Sequence, residues 1–261
     1  MNQVFGVCNL ALAPLRAEAS DRSEMISQLL FGDHFEILET SEKWARIRTA
    51  YDDYEGWIDP KQYVETNLET FTRLHDLKNI LSAEVVHPVK NLKNNEILNL
   101  LAGSNLPDFK EGRFSLNDAE FATDAITVNP GLTDFISEVE HVSRLYLNTP
   151  YLWGGRSVFG IDCSGFTQMV FKHFGIKLKR DAWQQALQGE PVDFVQESNL
   201  GDLAFFDNEE GKIIHVGIIL NPEHIIHASG RVKVDKLDTS GIYSEELQRY
   251  THKLRIIKRF I

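Results

Sequence analysis

The chain has 261 residues, which is too long for one small core and suits two or three compact units. Apolar residues make up 43% of the sequence and charged residues 25%, as in a soluble globular protein and unlike a disordered or collagen-like one. The formal charge of −11 argues against binding nucleic acid, because contacts to phosphates require clustered Lys and Arg. An acidic chain is better suited to a ligand that carries a free amine.

Membrane insertion and a disulfide framework are not expected. No run approaches the roughly 20 apolar residues that a membrane-spanning helix requires. The first apolar stretch, residues 4–15, has no basic region ahead of it and contains Asn9 and Pro14, so it makes a poor signal peptide and we expect a cytoplasmic protein. The two cysteines, Cys8 and Cys163, are too few for a disulfide framework.

Short strands separated by turn residues are predicted in residues 1–65. Cys8 lies in the first of them, where we expect it to be a small buried apolar residue. The order of these segments and the short Glu-Gly-Trp-Ile sequence at 55–58 resemble bacterial SH3-type domains, which are small barrels. The predicted strands are Val4–Leu12, His34–Glu39, Trp44–Thr49 and Gly56–Ile58.

The next segment, residues 66–130, is less informative. Apolar residues such as Val85 and Val86 alternate with turn residues such as Pro88 and Gly103. Two interpretations stay open here, a second small SH3-like domain and a linker with irregular structure.

Residues 131–261 have the pattern of an α+β domain. Apolar residues at three- and four-residue spacings predict an amphipathic helix over Leu132–Leu147 and a second helix that begins near Cys163 and stops near Gly175. Apolar and β-branched runs after these helices predict a buried sheet. The predicted strands are Asp202–Phe206, Ile213–Leu220, His224–Ala228 and Leu254–Ile257.

Cys163 and two histidines form the candidate catalytic group. The partial positive charge at a helix N-terminus, together with a nearby imidazolium, lowers the pKa of a thiol. The glycine-rich segments Thr149–Gly155 and Gly160–Gly165 precede and surround Cys163 and are expected to expose its sulfur. If two adjacent strands bring His215 and His227 together, one imidazole accepts the thiol proton and the other holds it in the right tautomer.

Structural roles and metal binding are the competing interpretations. A single Cys is usually structural, and a His on a strand is more often a packing residue than a base. Zinc is disfavoured because only one Cys is near, and neither a paired Cys motif nor His-Glu-x-x-His occurs. The histidines His173, His224 and His252 have no partner motif and are interpreted as surface or strand residues. We therefore expect no metal and no cofactor.

Five short motifs resemble, in order, those of NlpC-type cysteine peptidases. They are Tyr151-Leu-Trp-Gly-Gly155, Asp162-Cys-Ser-Gly-Phe166, Gly201-Asp-Leu203, His215-Val-Gly-Ile218 and Ile226-His-Ala-Ser-Gly230. The resemblance covers residues 131–261 and implies an α+β, papain-like catalytic domain preceded by one or two small SH3-like β-barrel domains. It also implies cleavage of cell-wall peptides between γ-D-glutamate and the following diamino acid.

The resemblance implies catalytic roles for individual residues. Cys163 would be the nucleophile, His215 the base and His227 the orienting residue. Tyr151 would lie beside the thiolate, where its hydroxyl and the Cys163 backbone N–H hold the oxyanion.

The subfamily resembled consists of γ-D-glutamyl-L-diamino acid endopeptidases whose SH3-type domain leans over the active site. In those enzymes, acidic and tyrosine side chains bind the free N-terminal amine of an L-Ala-γ-D-Glu substrate. Charge-assisted hydrogen bonds would bind the amine and would exclude longer stem peptides. The candidates for this role are Asp162, Asp181, Glu55 and Tyr54.

The D-glutamate subsite has a second set of candidates. Ser164 and Trp153 would line it. Ala182 stands where relatives can place a serine associated with substrate binding. Arg180 or Arg156 is the candidate substitute donor.

The sequence thus predicts a thiol endopeptidase that acts on small peptides of the L-Ala-γ-D-Glu-diamino acid type during recycling of wall peptides. Two alternatives stay open. The same fold and residues also suit an amidase or acyltransferase, because fold and catalytic residues do not determine the substrate. A non-catalytic module that binds wall fragments is the other, and the intact Cys163, His215 and His227 argue against it.

Overall fold

The computed structural model describes residues 3–76, 80–131 and 133–261. The chain divides into two compact units, an N-terminal unit of residues 1–133 and a C-terminal unit of residues 134–261. Both are built mainly from antiparallel strands. Within the described ranges, no helix is long and apolar enough to cross a membrane.

An antiparallel sheet with its own core forms the start of the N-terminal unit. Its strands are β1 (Val4–Val7), β2 (Leu12–Arg16), β3 (Met25–Leu30), β4 (His34–Thr40), β5 (Ala45–Thr49), β6 (Glu55–Ile58) and β7 (Val64–Thr66). They pair in the order β3-β2-β6-β5-β4-β1-β7. Side chains alternate as strand geometry requires: in β5, Ala45 and Ile47 are buried, whereas Arg46 and Arg48 are more exposed.

The predicted strand Val4–Leu12 is interrupted at Cys8. The Cys8 N–H donates to the carbonyl of Asp33 (2.9 Å), and the Gly32 N–H donates to the carbonyl of Cys8 (2.8 Å), so the loop after β3 replaces a neighbouring strand here. Gly32 has a φ of 79°, a left-handed conformation that suits glycine. The prediction that Cys8 is buried is confirmed, and burial raises the pKa of its thiol to about 12.

The rest of the N-terminal unit adds one helix and two smaller antiparallel sheets. These elements are α1 (Leu68–Asp76), β8 (Ile80–Ser82), β9 (Val86–Asn91), β10 (Ile97–Leu101), β11 (Asn105–Leu106), β12 (Arg113–Leu116), β13 (Ala119–Ala122) and β14 (Thr127–Val128). The sheets have the orders β10-β9-β13-β12 and β11-β8-β14. Phe31, in the loop after β3, makes edge-to-face contacts with Phe114 and Phe121 in a shared core. Most of the strands in this region thus belong to two antiparallel sheets, and its interpretation as a second SH3-like domain stays a prediction.

The C-terminal unit begins with α2 (Phe135–Arg144), followed later in the chain by α3 (Cys163–Lys172) and the short α4 (Ala182–Gln185). The side chain of Asp134 caps α2 by accepting from the Ser137 N–H (3.1 Å), so the helix begins later than the predicted Leu132–Leu147, and it ends earlier. Leu132 itself lies outside the described residues.

The strands of the C-terminal unit are β15 (Arg156–Ser157), β16 (Gly160–Ile161), β17 (Glu190–Val192), β18 (Leu203–Asp207), β19 (Ile213–Asn221), β20 (His224–Ser229), β21 (Arg231–Asp238), β22 (Gly241–Ser244) and β23 (Arg249–Arg259). The main sheet has the order β17-β23-β18-β19-β20-β21-β22, and β22 also pairs with β23. The strands β18 to β23 therefore close into an antiparallel barrel. Apolar residues of several strands, including Phe206, Ile219, Ile225 and Ile242, form one core cluster.

Helix α3 is buried along its whole length, since every residue from Cys163 to Lys172 is buried. It contacts β19 and β20 on one side, and α2 contacts it through Phe135, which packs against Phe171 at a ring-centroid distance of 5.3 Å. The helix ends at His173, which is 2% exposed. Burial, with a further contribution from Lys172, lowers the pKa of His173 to about 4, although the Met169 carbonyl opposes this shift.

The buried imidazole of His173 is expected to make stability depend on pH. Because its pKa is lower in the folded chain than in the unfolded chain, its contribution is complete above about pH 6.5 and is lost as the pH falls toward about 4. Between pH 7 and pH 5 the expected loss is about 2 kcal/mol. Urea unfolding at the two pH values measures it, and His173→Leu should remove this part of the pH dependence.

The control for that experiment is His141→Gln, which changes an exposed histidine on α2. It should lose stability between pH 7 and pH 5 as the unmodified protein does. An unchanged pH dependence in His173→Leu would contradict the assignment.

Candidate active site

The carboxylate of Asp162 organises the backbone around Cys163. It caps α3 by accepting from the Gly165 N–H (2.6 Å), and it also accepts from the Gly154 N–H (2.8 Å) of the preceding glycine-rich segment. A side chain at Gly165 would place its Cβ 2.2 Å from the Gly155 carbonyl oxygen, so only glycine allows this approach. Cys163 is thereby held as the first residue of α3, at the positive end of the helix dipole.

The sulfur of Cys163 is more enclosed than the glycine-rich motifs predict, because the residue is 5% exposed. Burial raises the pKa of its thiol to about 12, and the Asp162 carboxylate adds to the rise. The backbone N–H groups of Val216 and Ser164 and the charge of Arg180 act in the opposite direction. The net shift of the pKa favours the thiol form, so attack by the sulfur requires a base.

A line of hydrogen bonds leads from His215 away from the thiol. Val216, whose N–H interacts with the Cys163 sulfur, directly follows His215 in β19. His215 Nε2 lies 2.8 Å from His227 Nδ1, and His227 Nε2 lies 3.1 Å from Asp235 Oδ2. The structure thus brings the two predicted histidines together and adds Asp235, which sequence analysis missed.

Two features of the barrel favour this hydrogen-bonded arrangement of histidines: one provides space for the side chains, and the other favours the uncharged form of His215. Gly217 pairs with His227 across β19 and β20, and a Cβ there would lie 2.8 Å from the His227 Cβ. Burial, with smaller contributions from His227 and His252, lowers the pKa of His215 well below its ordinary value. Neutral His215 is able to accept a proton.

The interpretation of His252 as a strand residue without a partner is wrong. Its ring stacks on that of His215 at a centroid distance of 4.1 Å and an interplanar angle of 23°. Burial, followed by His227 and Lys233, lowers the pKa of His252 to about 4, against the opposing effect of Asp235. The contact joins β19 to β23, which are not neighbours in the sheet order, so no local motif points to it.

The three imidazoles are also the candidate for a metal site, since one nitrogen of each lies within 4.8 Å of the others. Their geometry does not suit an ion. The lone pair of an imidazole nitrogen lies in the plane of its ring. His215 and His252 are stacked with nearly parallel rings, so their lone pairs do not point at a common position. Both nitrogens of His227 already have hydrogen-bond partners. The prediction of a site without a metal is kept on this ground.

Tyr151 lies in the electrostatic environment of the thiol. Burial raises the pKa of its hydroxyl, and Cys163 and Asp162 raise it further, against a lowering effect of Arg180. The hydroxyl therefore stays protonated and can act as a hydrogen-bond donor. Its backbone N–H donates to the Gly230 carbonyl (2.9 Å), which anchors the residue beside the end of β20.

The contacts of Arg180, a candidate donor in the sequence analysis, could not be predicted from the sequence. Its guanidinium binds both oxygens of Asp162, with Nη2–Oδ2 at 2.6 Å and Nη1–Oδ1 at 3.1 Å, and Nη1 also donates to Ser164 Oγ (2.9 Å). Arg180, Asp162 and Ser164 are all buried. In the free enzyme these groups bind one another, and their predicted contacts with substrate stay predictions.

The other substrate-binding candidates occupy different positions. In the C-terminal unit, Trp153 is 60% exposed, and Asp181 is the N-cap of α4, where its backbone N–H donates to Gln184 Oε1 (3.0 Å). In the N-terminal unit, Tyr54 packs against the core of the first sheet. Glu55 binds Arg48 through Oε1 (2.8 Å) and Arg46 through Oε2 (3.3 Å). The amine-binding role of these residues stays a prediction.

The chain resembles proteins of a known family. Residues 148–252 match the NlpC/P60 family, and residues 15–62 match the bacterial dipeptidyl-peptidase SH3 domain. The gamma-D-glutamyl-L-lysine dipeptidyl-peptidase of Bacillus subtilis is 30% identical over 85% of this chain and 78% of its own length. The chain belongs to the NlpC/P60 family. It is therefore a peptidase, as the sequence motifs predict.

Two further comparisons cover nearly the whole chain. Dipeptidyl-peptidase 6 of Lysinibacillus sphaericus is 28% identical over 90% of this chain and 93% of its own length. The crystal structure of an NlpC/P60 family protein from Bacillus cereus has a TM-score of 0.81 at 19% identity, covering 98% of this chain and 99% of that one. The predicted fold class, an α+β peptidase domain with an SH3-type domain ahead of it, is confirmed.

The buried pair of Asp162 and Arg180 is expected to support the stability of this site. Arg180→Met leaves an uncompensated buried carboxylate and should lower the free energy of unfolding by about 3–5 kcal/mol. Adding Asp162→Asn should recover much of that loss, because the amide oxygen still caps α3 without a buried charge. Urea unfolding of the single and double variants measures the difference.

A matched control is Arg144→Met, which breaks an exposed pair with Glu140 on α2 and should change stability little. Equal losses in Arg180→Met and the double variant would contradict the role of the buried charge.

Proposed function

We propose that this peptidase hydrolyses the γ-D-glutamyl bond to a diamino acid in small cell-wall peptides that carry a free N-terminal L-Ala. The observation that carries the proposal is that the thiol at the N-terminus of α3 interacts with the backbone of Val216, next to His215, and that His215 is hydrogen-bonded to His227. The SH3-type and NlpC/P60 regions of the chain also match a gamma-D-glutamyl-L-lysine dipeptidyl-peptidase. The cytoplasmic location expected from the sequence stays a prediction.

The first half of the reaction forms a thioester. His215 takes the proton of the Cys163 thiol as the sulfur attacks the γ-carbonyl carbon of the substrate. The Tyr151 hydroxyl and the Cys163 backbone N–H donate to the oxyanion that forms. His215 then donates its proton to the leaving nitrogen, the C–N bond breaks, and the diamino acid departs with a neutral amine.

The second half regenerates the thiol. His215 removes a proton from a water molecule, whose oxygen attacks the thioester carbonyl. The C–S bond breaks, the sulfur takes the proton from His215, and the γ-carboxyl group of the L-Ala-γ-D-Glu product gives the second proton of the water to the solvent as it is released. Both halves require a neutral His215 at the start, which agrees with the low pKa that burial imposes on this residue.

Recognition of the free amine is assigned to carboxylates and a tyrosine hydroxyl, with Glu55, Tyr54, Asp162 and Asp181 as the candidates. Ser164 and Trp153 are the candidates for the D-glutamate part. Asp162 and Glu55 are each already ion-paired with an arginine without substrate. Preformed charges of this kind bind an ammonium group through charge-assisted hydrogen bonds.

Cleavage of L-Ala-γ-D-Glu-diaminopimelate and of its lysine counterpart tests the proposal. Release of L-Ala-γ-D-Glu, followed by mass spectrometry, is expected for the unmodified protein and for Cys8→Ala, whose cysteine lies in the N-terminal core. Cys163→Ala should abolish it because the nucleophile is lost. Acetylation of the substrate amine should also prevent cleavage.

Other outcomes point to the alternatives. Cleavage of the acetylated and free peptides alike would replace the amine-dependent peptidase with a broader amidase. Binding of both peptides without cleavage would favour a non-catalytic wall-binding module.

The Tyr151 hydroxyl is expected to act on the transition state rather than on substrate binding. Tyr151→Phe should lower kcat by about 10- to 100-fold with little change in KM, because one oxyanion donor is lost. Tyr250→Phe, which removes an exposed hydroxyl on β23, is the control and should retain full kcat. An unchanged kcat in Tyr151→Phe would assign the oxyanion to backbone donors alone.

A further inference from the structure

Asp235 is buried at the far end of the line of hydrogen bonds that begins at His215. It is 9% exposed and lies on β21, which pairs with β20, the strand of His227. Its Oδ2 atom is 3.1 Å from His227 Nε2 and 3.0 Å from the ammonium group of Lys233. His227 and Lys233 are directly paired in the register of the two strands, so the three side chains meet on one face.

The carboxylate of Asp235 is ionised. Burial raises its pKa, but hydrogen bonds from His227 and Lys233 outweigh burial and lower the pKa below the ordinary value. An ionised carboxylate only accepts hydrogen bonds. His227 must therefore donate its Nε2–H to Asp235.

This single constraint determines both tautomers in the line. A neutral imidazole has one N–H, so His227 Nδ1 carries no proton and must accept from His215 Nε2. His215 in turn has its proton on Nε2, and its Nδ1 is left with a free lone pair. That nitrogen is the one available to take the proton of the thiol.

We propose that Asp235 is a positioning residue for catalysis, which acts through His227 to hold His215 with Nδ1 as its basic nitrogen and offsets the positive charge that His215 gains. The inference rests on the proposed function of Cys163 and His215. Asp235 keeps its charge throughout and takes no proton. Lys233 holds the carboxylate in place from the other side.

The tautomers are measured directly by two-bond ¹H–¹⁵N correlation spectra of the imidazoles in the full chain. In the unmodified protein, Nε2 should carry the proton in both His215 and His227. In Asp235→Ala this preference should be lost at His227. A proton on Nδ1 of either ring in the unmodified protein would overturn the proposal, and this readout does not depend on the identity of the substrate.

Three variants separate hydrogen bonding from charge. Asp235→Asn keeps an oxygen able to accept from His227 but removes the charge, Asp235→Ala removes both, and Asp238→Asn changes an exposed aspartate on the same strand as a control. We expect kcat to fall by about 10- to 100-fold in Asp235→Ala and less in Asp235→Asn, with KM nearly constant. Asp238→Asn should keep full kcat. Full kcat in Asp235→Ala would overturn the proposal.

The pH profile distinguishes positioning from a merely structural role. The charged and titratable groups that face His227 are His215 on β19, His252 on β23, and Asp235 and Lys233 on β21. Without the Asp235 carboxylate, the imidazolium form of His215 is less stable and its pKa is lower. The acid limb of the plot of kcat against pH should therefore move to lower pH in Asp235→Asn. A drop in kcat without this movement, in a variant with unchanged thermal unfolding, would assign Asp235 to structure alone.

The two proposals fail in different ways. If neither peptide is cleaved by the unmodified protein while both imidazoles carry their protons on Nε2, the assigned substrate is wrong and the positioning role stands. If the peptides are cleaved but either ring carries its proton on Nδ1, the assigned substrate stands and the positioning role of Asp235 is wrong.

Discussion

The carboxylate of Asp162 is bound on every side, and the geometry of the site depends on that. It accepts from the backbone of Gly154 and Gly165 and forms a two-point ion pair with Arg180. A buried charge is tolerated only where its hydrogen bonds are satisfied, and here the groups that satisfy it belong to the glycine-rich segment, the first turn of α3 and the segment before α4. Because these parts converge on one carboxylate, Cys163 has a defined place at the start of α3. The two members of the ion pair act on the thiol in opposite directions, since Asp162 raises its pKa and Arg180 lowers it by less.

The barrel of strands that carries His215 and His227 provides hydrogen-bond partners for these buried imidazoles. His215 and His227 bond each other, and Asp235 and Lys233 extend the line to an ion pair. Burial raises the pKa of the thiol and lowers that of His215, and both shifts favour the neutral form of each group. Charge then appears during attack, and groups that stabilise it, such as the Tyr151 hydroxyl and the Asp235 carboxylate, act on the transition state.

The N-terminal unit shows a comparable arrangement of charge at Glu55. Its two carboxylate oxygens bind Arg48 and Arg46 across neighbouring strands of the first sheet. These contacts hold the carboxylate in one orientation on the sheet surface. Pairs of this kind contribute little to stability, but they restrict the side chain before any ligand arrives. A carboxylate fixed in this way would lose little conformational entropy on binding an ammonium group.

The features that local sequence patterns encode could be predicted from the sequence by itself. The start of a helix at Cys163, the strands that carry His215 and His227, and the buried Cys8 are encoded by periodicity, glycines and short motifs, and the NlpC/P60 motifs identify the family. The boundaries of α2 and of the first strand were predicted too long, because Asp134 caps the helix and the Gly32 loop pairs with Cys8. Only the tertiary structure decided the places of Arg180, Asp235 and His252. Arg180 meets Asp162 although helix α3 lies between them in the chain. Asp235 reaches His227 through the register of β20 and β21, and His252 meets His215 because β22 and β23 close the barrel. Such contacts depend on which strands pair and in what register, and no local pattern around these residues carries that information.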